Sequence, residues 1–383
     1  MRTIKFTFII LMISLLAGCN IFVQQPVVNN ALQNQPIKIG LLAPMTGDAA
    51  EYGVNVEKAT RIAVDEINEK GGINNSKIEI ILEDGKCNPK DSATAASKLV
   101  NVDKVKVILG GICSGETLAA APITEAAKVI LLSPSATSPD ITNAGDYVFR
   151  TIPSDANAGR ISAQTAIKNG LKKAAVLSEN TDYAQGLRRV FKQSFSDQNG
   201  TIAEDQTYNP EETEFRTQIL KIKNANPDVI YLDPQTQQKG QLILKQLKEA
   251  GVTSKLYVNE VLLGRELLAK SPADFEGIIG VEPKFDDKAG KAKQLFDKYR
   301  EQYKAEPAFP YYMAANYDNV YLIADAVSKY GLDTDKIRDY LYALKDYDGA
   351  VGKLTIDENG DAIVGYSIKQ IINGSLTEIG TAS

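Results

Sequence analysis

The chain has 383 residues, 44% of them hydrophobic, which is large for a single core and comfortable for two. Its 43 basic and 48 acidic residues give a formal net charge of −5 with no long block of one sign, which argues against a nucleic-acid partner. There is no histidine, so catalysis by a His-containing triad or dyad is excluded and the commonest transition-metal ligand is missing.

Arg2 and Lys5 make a positive start that runs into an apolar stretch over residues 6–16, followed by Leu16-Ala17-Gly18-Cys19. The stretch is shorter than the roughly 20 residues of a spanning helix. Small residues before the cysteine suit cleavage just ahead of it, so residues 1–18 read as a lipoprotein signal peptide and Cys19 as a lipid-modified first residue. An ordinary signal peptide with an incidental Cys19 would leave an exposed thiol open to oxidation. Residues 19–36, rich in Asn and Gln with Pro26 and Pro36, have little to bury and predict a flexible tether. The expected location is outside the cytoplasm, periplasmic or on the outer cell surface, with membrane contact through the lipid on Cys19 alone.

With Cys19 assigned to lipid, Cys87 and Cys113 remain in a chain that folds in an oxidising compartment, and a disulfide between them is expected. The alternative is two buried thiols. Closing that loop would contribute about 3.5 kcal/mol in the chain-entropy account.

From residue 37 onward short β-rich runs alternate with helical periodicity. Strands are predicted over 37–42, 78–82, 105–109 and 129–132, and helices over 54–68, 91–100 and 116–127. Such alternation argues for a parallel sheet covered by helices on both faces. A turn-rich passage over 133–146 leads to a run at 147–152 and then Pro153-Ser154-Asp155, which reads as a crossing between lobes. A second series follows, with helices over 158–168, 186–195, 214–223 and 240–249 and strands over 174–178, 201–206 and 229–232. Beyond Gly277 come a strand at 278–281, helices over 291–304 and 311–329, and a β-rich tail over 349–372, with no strand expected after it.

The late helices need a sheet to cover, which places them on the first lobe. The expected fold is α/β, two doubly wound parallel-sheet lobes joined by a three-strand hinge suited to closure. Residues 37–154 and 284–354 form the expected N-terminal lobe, and 155–283 and 355–383 the C-terminal lobe. No repeat with a period of about 20–50 residues is evident, which argues against a solenoid.

In an open α/β sheet, ligands sit outside the carboxyl ends of strands, where helix N-termini present free N–H groups. The predicted strand at 105–109 ends in Gly110-Gly111-Ile112-Cys113-Ser114-Gly115, which brings the Ser114 hydroxyl to the mouth of the next helix as a donor to a carboxylate. Serine is also a favoured helix cap, and the two roles are compatible. The strand at 129–132 ends in Ser133-Pro134-Ser135-Ala136-Thr137-Ser138, where Thr137 is able to serve either charge; a plain Ser/Pro turn is the structural alternative. Gly110-Gly111 lacks the spacing of a dinucleotide loop, no Walker lysine follows, and no cofactor is expected.

Several separate motifs, in order, carry a resemblance: Pro44-Met45-Thr46-Gly47, Glu51-Tyr52-Gly53, Lys70-Gly71-Gly72-Ile73, Cys87-Asn88-Pro89-Lys90, Gly111-Ile112-Cys113-Ser114 and Ser133-Pro134-Ser135-Ala136-Thr137. Together they resemble the leucine/isoleucine/valine-binding proteins of bacterial ABC importers, type I periplasmic solute-binding proteins, from about residue 37 to the C-terminus. The resemblance implies two lobes with a ligand between them, a Cys87–Cys113 disulfide, permease partners, and a monomer without enzymatic activity. It places the carboxylate-binding serine at Ser114 and the ligand-holding loop at Ser135, through backbone, and Thr137. The acids that face an ammonium fall on Asp155 and Glu260, and the closing tyrosines on Tyr52 and Tyr183. Read physically, hydroxyls and a helix N-terminus meet a carboxylate, buried acids meet an ammonium, and aromatic faces exclude water, which fits an α-amino acid. On their own, Asp155 reads as a helix cap and Glu260 as a solvated charge. One departure stands out: Asp233-Pro234-Gln235-Thr236-Gln237 is polar where branched-chain binders carry an aromatic near Gln235, and the chain has no tryptophan. That points away from leucine toward a polar or smaller amino acid, or a related amide, because a buried Gln demands a partner.

Two other functions fit the same fold. A ligand-sensing module for amino acids or amides would need an output region, and none follows the β-rich tail. An enzyme using paired carboxylates such as Asp155 with Glu260 would need a positioned nucleophile or oxyanion pocket, and the motifs supply neither.

Overall fold

The structure, a computed structural model, describes residues 35–382. The expected signal peptide, Cys19 and almost all of the tether lie outside the described residues.

The first half of the chain lays down β1 (Ile37–Ala43), α1 (Ala50–Glu69), β2 (Ile78–Asp84), α2 (Pro89–Asn101), β3 (Val107–Gly110), α3 (Ser114–Ala127), β4 (Ile130–Ser133) and β5 (Val148–Arg150). The five strands form one parallel sheet in the order β2-β1-β3-β4-β5. All residues of β3 and β4 are buried, as expected of parallel strands sandwiched between helix layers. Local chemistry sets the helix starts: Asn88 accepts from the backbone N–H groups of Lys90 and Asp91, and Pro89 takes the first position of α2.

The chain then crosses and builds α4 (Asp155–Lys168), β6 (Lys173–Glu179), α5 (Asp182–Asp197), β7 (Thr201–Tyr208), α6 (Arg216–Ala225), β8 (Val229–Asp233), α7 (Gln237–Glu249), β9 (Lys255–Val258), α8 (Arg265–Lys270) and β10 (Ile279–Pro283). It returns as α9 (Gly290–Tyr303), α10 (Pro310–Tyr330), α11 (Thr334–Tyr342) and the hairpin β11 (Tyr347–Gly349) and β12 (Gly352–Leu354), then ends in β13 (Tyr366–Ile372) and β14 (Ser375–Ala382). The second sheet has the order β14-β13-β10-β9-β8-β6-β7, parallel except where β13 joins β10 and β14 joins β13. The fold is therefore α/β with parallel sheets in two lobes.

The returning helices pack Leu295, Phe296, Met313 and Ile337 into the core that holds Ile39, Leu41, Val107 and Leu132. Ile356 and Ala362 belong to the same core. Residues 355–362, expected with the C-terminal lobe, thus stay with the first, because Asp361 pairs there with the buried Arg150. The expectation that no strand follows residue 372 is also corrected. β14 pairs with β13 through a turn at Asn373 and Gly374, both at positive φ. Its mixed, half-exposed pattern, that of an edge strand, gave no clean alternation to read. The crossing segments run side by side: Lys284 N–H donates to Gly365 O at 2.8 Å, and the Tyr366 hydroxyl to Ser154 O at 2.8 Å.

Candidate functional site

In each sheet the strand order reverses at one place, between β1 and β3 in the first and between β6 and β8 in the second. Ligands of open α/β sheets bind at such switch points, outside the strand carboxyl ends. The two carboxyl edges face each other. Tyr52, Ser114, Ser135 and Tyr183 line a cavity of about 20 Å³ between the lobes, closed further by Gln235, Val261 and Tyr312.

The first-lobe wall is built by local constraint. β3 ends at Gly110, whose φ of +113° favours glycine and where a Cβ would stand 2.1 Å from Leu42 O. The turn delivers Cys113 as the N-cap of α3 and Ser114 as its first residue, so Ser114 is not the cap itself. Ser114 Oγ accepts from Ser138 N–H at 3.1 Å, which ties it to the neighbouring loop. In that loop Ser135 Oγ donates to Ile112 O at 2.7 Å, and Ser133 Oγ to Gly111 O at 2.7 Å. The Cys87–Cys113 disulfide is formed, with Cα atoms 5.4 Å apart.

Beneath it, the fully buried Glu116 accepts from the backbone N–H groups of Cys87 (3.0 Å), Ile112 (2.9 Å) and Cys113 (3.1 Å). Burial outweighs those bonds and pushes its pKa up to about 7 from an ordinary 4.5. Its folded value lies above its unfolded one, so the native state holds the proton more tightly. The Glu116 contribution to stability is therefore full below about pH 4.5 and lost as pH rises to about 7, by at most about 3 kcal/mol. Urea unfolding of wild type and Glu116→Gln at pH 5 and pH 8 reads this directly. The difference between the two proteins should move in favour of the variant at the higher pH, and a pH-independent difference refutes the assignment.

The second-lobe wall and α10 supply acids and phenols. Asp155 is the first residue of α4, while Ser154 caps the helix by accepting from Ala156 N–H. Asp155 N–H donates to Thr137 O at 2.9 Å, joining the two lobes. The Thr137 hydroxyl sits beside the Asp155 carboxylate without the geometry of a hydrogen bond, and Thr137 Oγ1 and Asp155 Oδ2 are both buried with no partner among the described residues. Glu260 follows β9 and accepts from the Tyr183 hydroxyl on Oε2 and the Tyr312 hydroxyl on Oε1, each at 3.0 Å. Tyr52 donates across the cleft to Gln235 O at 2.9 Å and packs edge-on against Phe309 with ring centres 4.4 Å apart.

Burial raises the pKa of Asp155 well above the carboxylate range, and the nearby Glu260 adds to it; burial also raises Glu260. Arg150 pulls Asp155 the other way, but its guanidinium is committed to Asp361. Neither acid has an ion-pair partner among the described residues. The arrangement offers a helix N-terminus with hydroxyls on one wall and uncompensated acids with phenols on the other. Of the expected residues, Tyr52, Ser114, Ser135 and Tyr183 line the cavity, Glu260 joins them through its bonds to Tyr183 and Tyr312, and Thr137 and Asp155 meet each other without lining it. Sequence reasoning missed Tyr312, Val261 and Ile112. The run Phe309-Pro310-Tyr311-Tyr312 at the start of α10 was the available signal for the first; the other two look like ordinary core residues.

Two lobes meeting over a small enclosed cavity lined by polar and aromatic groups define a solute-binding protein. The family model described as periplasmic binding protein matches residues 36–375, and the chain belongs to that family. It is 31% identical to the leucine-, isoleucine-, valine-, threonine- and alanine-binding protein of Pseudomonas aeruginosa, over 85% of this chain and 87% of that one. The branched-chain amino acid transporter substrate-binding protein of Streptococcus pneumoniae, solved with isoleucine, superposes with a TM-score of 0.79 at 29% identity, covering 91% of this chain and 99% of that one. A solute-binding protein of Rhodopseudomonas palustris, solved with 3,4-dihydroxybenzoic acid, does so with a TM-score of 0.79 at 26% identity, covering 91% and 97%. The resemblance to Leu/Ile/Val-binding proteins is thus borne out. The chain is an extracytoplasmic solute-binding protein of the branched-chain amino acid transport family, whose members work with ABC permeases, and not an enzyme.

Proposed function

We propose that this chain is the lipid-anchored, monomeric capture subunit of an ABC importer and closes its two lobes on a small amino acid. The observation that carries the reading is the pair Asp155 and Glu260, a buried and a half-buried acid close enough to act on each other, with no ion-pair partner among the described residues. An α-ammonium supplies that charge, and the α-carboxylate of the same molecule finds Ser114, the Ser135 backbone, Thr137 and the N-terminus of α3 on the facing wall. Tyr52, Tyr183 and Tyr312 exclude water, which strengthens both contacts. An aromatic acid such as that bound by the Rhodopseudomonas neighbour brings a further anion and no cation, and the two acids disfavour it.

A thermal-shift panel on the mature chain with Cys19→Ala tests this, using the common amino acids, small amides, urea and benzoate. A ligand that binds only the folded state at 100 times its Kd stabilises by about 2.7 kcal/mol. A shift with a subset of amino acids is expected. No shift with any amino acid after refolding has removed endogenous ligand, or a shift with benzoate alone, overturns the reading. The anchor is tested separately in cells. Cys19→Ala should move the protein from the membrane fraction to the soluble one, and retention in the membrane contradicts the lipid assignment.

A further inference from the structure

β6, β8 and β9 are neighbours in the second sheet. Side chains alternate along each strand, so Ser178 shares a face with Val176, Asp233 with Tyr231 and Asn259 with Tyr257. Val176, Tyr231 and Tyr257 belong to the core that also contains Tyr183, so the three polar residues form a row on the face covered by α4 and α5. Ser178 and Asp233 are direct register partners. The row lies at the switch point and does not itself line the cavity, but Gln235 and Val261, which do, each stand two residues past a member of the row.

Asn259 Nδ2 donates to Asp233 Oδ1 at 2.7 Å and to Pro234 O at 2.8 Å. Asp233 Oδ2, Asn259 Oδ1 and Ser178 Oγ are left buried without a partner among the described residues, on side chains that are 0%, 3% and 0% exposed. A buried polar atom without a partner is costly, and three in one row on an otherwise apolar face point to a missing group. Asn259 Oδ1 is a pure acceptor and Asp233 Oδ2 is one when its carboxyl is ionised, so a donor group would satisfy both. The charged groups that act on Asp233 are Asp155, Glu260 and Glu179, all acids, and burial with these neighbours raises the Asp233 carboxyl. The nearby Lys239 spends its ammonium on the carbonyls of Pro210 and Glu212.

We infer that Ser178, Asp233 and Asn259 form the side-chain subsite of the pocket and select a ligand whose side chain carries N–H donors, an amide or an amine, over a branched aliphatic one. This rests on the amino-acid reading above. It also gives a physical content to the polar Asp233-Pro234-Gln235 segment, which ends β8 where an apolar wall would suit leucine.

Titration calorimetry on the refolded, ligand-free mature chain with Cys19→Ala tests it, with glutamine and asparagine as amide probes, ornithine and lysine as amine probes, and leucine and alanine as probes without side-chain donors. At least one donor-bearing probe should bind tenfold or more tighter than leucine. Asp233→Leu should bring that ratio close to one, and Ser178→Ala should reduce it in a protein whose fold is barely disturbed. Asp233→Asn separates the arms: an amine loses its acceptor, while an amide turns over and keeps a partner. Leucine binding as tightly as every donor-bearing probe, or a ratio unmoved by all three substitutions, leaves the row holding only buried water and overturns the subsite while sparing the amino-acid reading. No binding by any amino acid overturns both.

Discussion

Asp361→Ala is expected to destabilise the protein by about 3–5 kcal/mol, the cost of leaving a buried charge unpaired. Arg150, at the end of β5, is fully buried, and its Nε and Nη2 meet Asp361 Oδ1 and Oδ2 at 2.6 and 2.8 Å. The remaining donors go to Ser138 O at 2.8 Å, Ala136 O at 3.3 Å and Thr142 Oγ1 at 2.8 Å. The guanidinium therefore fastens the returning segment 355–362 to the loop that presents Ser135 and Thr137. Removing the carboxylate strands the cation and loosens that loop, so amino-acid binding should weaken along with stability. Arg150→Met combined with Asp361→Leu should recover much of the unfolding free energy, because the desolvation cost of both charges disappears, but it leaves the two carbonyls unanswered and the loop slack. Urea unfolding checks the first part. A single variant within about 1 kcal/mol of wild type would mean that the pair is structurally incidental.

That pair also marks where sequence reasoning stops. Most of the strands and helices were legible because each is written locally, in apolar runs bounded by Gly, Pro and capping residues. The strand β9 was seen only through the residues that follow it. Helices α8 and α11 and strand β14 were not seen, the helices being short and the strand half-exposed along its length. Ser114 and Asp155 stood out because helix starts after strands are where α/β proteins place ligand groups. Asp361 is 211 residues from Arg150, Tyr312 is 52 from Glu260, and Asp233 is 26 from Asn259. No periodicity carries such pairings; only the folded sheets bring them together.

Asp155→Asn is expected to cost about 2–5 kcal/mol in amino-acid affinity, the range for breaking a buried, hydrogen-bonded charge pair. The substitution keeps the shape of a residue that is 2% exposed and removes only its charge, so packing of α4 is preserved. In the ligand-free protein the same change should be neutral or stabilising. The carboxyl has a raised folded pKa because burial and Glu260 penalise its charged form. Stability is therefore lost as pH rises from the ordinary carboxylate range toward that raised value, and the asparagine variant escapes this loss. Ligand affinity has the opposite slope. An ammonium prefers both acids ionised, protons compete with it, and binding should weaken as pH falls through the raised values of Asp155 and Glu260. Calorimetry across pH 5 to 8 on wild type and variant separates the contributions: wild type should lose affinity toward pH 5, and the variant should bind weakly with a shallower pH dependence. A variant melting at or above the wild-type temperature yet giving no ligand-induced shift would place the effect on the ammonium contact and not on the fold, a trade of function against stability common at binding sites. Equal affinities in the two proteins would move the ammonium away from Asp155 and leave Glu260 with its two tyrosines as its sole anchor.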